Sequence, residues 1–118
     1  MSKVKVSELW AEVLKVAQEQ PDHVYERGEA GKCNYQVDGQ PSCIVGHAMH
    51  RLGVSAFDLR EFDASGDSAI EDIIGMNPDM FDEDDKLGME LLIEAQNRQD
   101  QEVPWGLAVS QDQEEPAN

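Results

Sequence analysis

Aromatic side chains are scarce in this sequence, with two Trp, two Tyr and three Phe among 118 residues. Its core must therefore be assembled from Leu, Ile, Val, Ala and Met. Cysteine is scarcer still, and two residues are too few for a secreted disulfide scaffold; a reducing cytosol would keep them as thiols. No stretch approaches the ~18 apolar residues of a membrane span. The opening MSKVKVSELW lacks the apolar core of a signal peptide. These absences predict a cytoplasmic protein with no membrane association. There is no phosphate-binding loop, dinucleotide fingerprint or serine elbow either, so no enzymatic activity is expected.

Basic residues are the other deficit. The chain carries 25 acids and 9 bases, for a net charge of −16. The imbalance lies almost wholly in the second half: residues 1–57 hold 7 acids and 6 bases, residues 58–118 hold 18 acids and 3 bases. Such a surface repels nucleic acid and anionic membrane, and its field favours basic partners. Solubility alone would also account for it.

The apolar spacing predicts one small domain over residues 1–109, mainly α, with about five short helices and one β-hairpin. Ser7 is placed to cap a helix to about Gln18, with Leu9, Val13, Val16 and Ala17 on its inner face. Val24 and Tyr25 are expected to anchor the loop that follows. Asp38-Gly39 suits a hairpin turn between strands at about 33–37 and 40–44. A helix from Ile44 to Leu52 should stop at a left-handed Gly53, with Val54 folding back on it. Ser55-Ala-Phe-Asp58 reads as a capping box opening a helix to about Phe62. Ser68-Ala-Ile-Glu71 repeats the signature for a helix closing near Gly75. The run Asp82-Glu83-Asp84-Asp85 opens the longest helix, to about Gln101, with Leu87, Leu91, Leu92 and Ala95 as its buried stripe. Pro104-Trp105 starts a last short helix. Residues 110–118 have the composition of a disordered acidic tail.

Two clusters are candidate sites. On a helix starting near residue 43, Cys43, His47 and His50 share a stripe opposite Ile44, Ala48 and Leu52, and Cys33 lies on the neighbouring strand. Thiolate and imidazole are zinc ligands, so Cys33, Cys43, His47 and His50 form a candidate metal site. The spacing C-x9-C-x3-H-x2-H matches no standard zinc finger, and the preferred reading is a buried Cys33 with exposed or locally bonded histidines and no cofactor. A disulfide or a Cys43/His47 nucleophile pair is a weaker alternative. Turn register matters here. A two-residue turn pairs Val37 with Gln40 and puts the cysteines on opposite faces; a three-residue loop puts them directly across from one another. Both turns suit the residues present. Asp63-Ala-Ser-Gly-Asp-Ser resembles a calcium loop in composition only, because Ile74 stands where the terminal carboxylate ligand belongs.

The second cluster is the acidic run with nearby apolar residues: Asp79, Phe81, Asp82, Glu83, Asp84 and Asp85, together with Trp105. Aromatic anchors beside charge are what protein interfaces use, although Phe81 and Trp105 could equally serve the core.

The blocks CNYQVDGQPSCIVGHAMHRLGV and EAQNRQDQEVPWGLAV carry a resemblance. Cys33, Tyr35, Gly39, Pro41, Cys43, Gly46, Leu52 and Gly53, followed by Gln96, Gln99, Asp100 and Trp105, form a pattern similar to that of a loose group of small proteins encoded by phages of actinobacteria. The two blocks span about a third of the chain. The resemblance implies a phage origin and a host-cell setting, and it carries over no catalytic residue. The resulting expectation is a non-catalytic protein that binds a host or phage protein through its acidic surface. The alternatives are a DNA mimic directed at a nucleic-acid-binding protein, and a small zinc-binding module.

Overall fold

The computed structural model describes residues 3–25, 35–37, 39–64 and 69–110. The expected disordered tail, apart from Ser110, and Cys33 lie outside them. Helix α1 (Val6–Glu19) buries Val6, Leu9, Val13, Val16 and Ala17 along one stripe. Each large apolar side chain so buried contributes roughly 1.5–3 kcal/mol. That stripe packs mainly on α2 (Ile44–Arg51) and on α5 (Lys86–Asp100). Between α2 and α5 in the chain come α3 (Ala56–Ala64) and α4 (Ile70–Met76). A one-turn α6 (Trp105–Ala108) closes the described chain. One hydrophobic cluster runs from Val6 to Trp105, so the elements share a single core, mainly helical as the apolar spacing implies.

Strands are minor. The hairpin joins β2 (Gln36–Val37) to β3 (Gln40–Pro41) with Val37 opposite Gln40. This is the two-residue register, with Gly39 at φ +81°, a region open to glycine and strained for other residues. A second pairing has no counterpart in the sequence reading. β1 (Val4–Lys5) runs parallel to β4 (Phe81–Asp82), with Val4 opposite Phe81. Two-residue strands are too short to produce an alternating pattern, and parallel partners are necessarily distant in sequence.

Several helix ends follow local rules. Gly53 has φ +100°; its N–H donates to the His50 carbonyl, and the Val54 N–H to that of Met49. Together they make the Schellman closure expected there. The Asp58 N–H donates to Ser55 Oγ at 3.1 Å, so Ser55 caps α3, which is the N-cap half of the capping box expected there. The Asp85 carboxylate caps α5 by accepting from the Gly88 N–H at 2.9 Å.

Other ends differ from expectation. Ser7 does not cap α1, which begins at Val6 after Lys5, because β1 carries extended chain directly into the helix. Ser68 lies outside the described residues, and α4 follows Ala69, which makes no side-chain cap. Leu87 is 64% exposed. Leu92 and Ala95 are buried as expected and Leu91 is half-buried; Gly88, Gln96 and Gln99 complete the buried stripe of α5. Tyr25 is buried as expected, whereas Val24 is exposed.

Candidate interaction site

Among the described residues, Cys43, His47 and His50 do not converge on a shared point. Cys43 is the N-cap of α2, fully buried, with its Sγ accepting from the Gly46 N–H at 3.3 Å. It therefore faces the core, not outward with the histidines as the stripe argument had it. His47 packs edge-on against Trp105, with ring centroids 5.5 Å apart. His50 is exposed. Burial, reinforced by the positive charge of Arg51, lowers the pKa of His47 and favours neutral imidazole. Among the described residues no three His, Cys, Asp or Glu side chains are grouped to hold a metal ion, and Cys33 is not among those residues.

What this stretch does instead is anchor a buried polar network. The Gln99 side-chain oxygen accepts from the Ile44 N–H at 2.8 Å, and its Nε2 donates to the Asp100 carboxylate at 2.7 Å. The free first turn of α2 is thus capped from α5, with Asp100 orienting the amide. Gln96 repeats the device one turn earlier. Its oxygen accepts from the Ile70 N–H at the start of α4, and its Nε2 donates to the Tyr35 hydroxyl at 2.9 Å. Tyr35 is held in turn by Asp63, whose carboxylate accepts from the Tyr35 N–H at 2.8 Å. Gly46 completes the joint, because a Cβ there would lie 2.2 Å from the Tyr35 carbonyl oxygen. Tyr35, Cys43, Gly46, Gly53, Gln96, Gln99 and Asp100 thus have structural roles.

The acidic run divides three ways. Asp84 reaches the N-terminus of α1, accepting from the Ser7 N–H at 3.0 Å and the Ser7 hydroxyl at 2.6 Å. Those two bonds hold its carboxyl below the usual range. Asp85 caps α5. Phe81 is 3% exposed and packs beside Phe62, and Trp105 is fully buried beneath His23. Both aromatics are therefore core residues and not the surface anchors expected, since a core this poor in aromatics uses its largest rings inside. The Trp105 Nε1–H finds no partner among the described residues. Asp79, Asp82 and Glu83 remain exposed.

Asp79 borders an open groove of about 600 Å³. Its apolar lining is Val4, Leu52, Val54, Met76, Pro78 and Met80; Asp58 and Asp79 supply carboxylates, and among the described residues no Lys or Arg lines it. The groove forms where the end of α2, the first turn of α3, the α4–β4 connection and β1 meet. Met76 is 56% exposed, so its thioether side chain is open to solvent at the groove. Asp58, Leu52 and Val54 were not singled out from sequence as site residues. The signal available was the nearness of two helix stops, Gly53-Val54 and Asn77-Pro78, but nothing local shows that they adjoin. A smaller hollow of about 230 Å³ lies beside the hairpin, lined by Gln36, Gly39, Ala56, Phe57 and Arg60.

The chain matches no protein-family model, no curated protein and no solved structure. Among the described residues, no helix is long and apolar enough to cross a membrane.

Proposed function

We propose that this chain is a non-catalytic phage protein that acts in the host cytoplasm by binding a basic host protein through its acidic surface. The observation that carries this reading is the division of the acidic run. Asp84 and Asp85 are occupied as helix caps, whereas Asp79, Asp82 and Glu83 stay exposed, with Asp79 in the lining of an apolar groove. Exposed carboxylates, one of them at an apolar groove, suit steering and orienting a basic partner. The phage-like sequence pattern supplies the host setting.

Affinity capture from an actinobacterial extract tests it, using wild type and an Asp79→Asn/Asp82→Asn/Glu83→Gln triple variant. A captured basic protein should be retained by wild type and reduced about tenfold by the variant, with binding weakening as salt rises. Equal capture by both proteins would sink the proposal. Release of the captured protein by duplex DNA would redirect it to a DNA mimic that occupies a nucleic-acid site.

A further inference from the structure

Resting on that reading, we infer that the groove seats a basic amphipathic helix contributed by the partner protein. Charge complementarity selects the occupant. Asp58 and Asp79 line the groove without a basic residue among the described residues of the lining, and the chain as a whole is at −16. A second copy of this acidic chain is therefore repelled from it, as are acidic peptides and phosphate-bearing ligands.

The floor selects for apolar side chains on the same segment. Leu52, Val54 and Val4 form a fixed base, and Met76 and Met80 are unbranched thioethers that can adjust to the side chains they meet. A volume of about 600 Å³ suits a few large side chains from one helical face. Strand addition is the poorer alternative, because β1 and β4 are two residues each and offer too short a ladder to template an extended peptide. A helix satisfies its own backbone and presents side chains at i, i+3 and i+4 to an apolar groove, with its basic flank toward the carboxylates.

The test uses three synthetic peptides of equal length, titrated calorimetrically into the intact protein. One places Leu at i, i+3, i+4 and i+7 with Lys elsewhere; one scrambles the same composition around the helix; one replaces Lys by Glu. The first should bind about tenfold tighter than the scramble, and the acidic peptide should not bind. Met76→Ala, at an exposed site, should weaken the first peptide about fivefold without altering the circular dichroism. Of the five methionines, the methyl NMR signals of Met76 and Met80 should shift on titration, with Met49 and Met89 unmoved. Equal binding of ordered and scrambled peptides, or full affinity in Met76→Ala, overturns the helix assignment. If the capture experiment still discriminates in that case, the acidic surface binds by charge alone and only the groove assignment fails.

Discussion

The Tyr35–Gly53 segment and the acidic run Asp79–Asp85 both join distant parts of the chain through polar contacts. They do so in opposite surroundings. Tyr35, Cys43 and the glutamines that meet them are buried, so each hydrogen bond there satisfies a group that water cannot reach. Removing a partner leaves an uncompensated donor, which costs about 1–3 kcal/mol. Asp84 makes its bonds to Ser7 at the exposed surface, where water can replace a lost partner. The interior segment therefore has little freedom to change, and the acidic run can spend some of its charges on caps and leave others available for a partner.

The largest expected effect lies in the interior. Gly46→Ala places a Cβ against the Tyr35 carbonyl, a backbone atom that cannot move aside alone, and should destabilise by about 3 kcal/mol in urea unfolding. A loss below about 0.5 kcal/mol would mean that the Tyr35–α2 contact is loose. Next comes Gln99→Leu. It keeps the volume but leaves the Ile44 N–H without its acceptor, for a loss of about 2 kcal/mol; Asn97→Ala, exposed on the same helix, should change stability by less than about 0.5 kcal/mol.

The smallest effect lies in the acidic run and shows in its pH dependence. The Asp84 carboxyl is depressed in the folded state, so its contribution is complete above the ordinary carboxylate range near pH ~4 and is lost as pH falls through and below it. Thermal unfolding followed from pH 6 to 3 should therefore show a shallower acid decline in Asp84→Asn than in wild type, with a lower midpoint at pH 6. Asp82→Asn, at a carboxylate with no side-chain bond among the described residues, should leave the midpoint at pH 6 unchanged. Identical curves for the two variants would erase the distinction between capping and spare acids.

The same contrast explains what was legible in the sequence. Gly53-Val54, Ser55 and Asp85 act on groups within five residues of themselves, and their roles could be read from spacing. The caps supplied by Gln96, Gln99 and Asp84 reach 26, 55 and 77 residues along the chain, and no local pattern marks a glutamine as a cap for another helix. Apolar periodicity misled on α5 for this reason, since it favoured Leu87 for the interior over Gln99. It also could not separate the two uses of an aromatic, so Phe81 and Trp105 were candidate anchors until their burial was known. The groove as a whole was illegible, because its lining comes from four stretches of chain that become neighbours only on folding.

Sequence by itself determined the helical class, the closures at Gly53, Ser55 and Asp85, and the concentration of negative charge in the second half. Those properties rest on backbone preferences, on hydrogen bonds closed within a turn or so, and on composition. Tertiary structure decided the direction of Cys43, the roles of Gln96 and Gln99, the split of the acidic run, and the juxtaposition of apolar floor and carboxylates in one groove. Each of these depends on α5 lying against α1, α2 and α4 and on β1 meeting β4. Such packing is set by the burial of the whole core, and no single stretch of the chain encodes it.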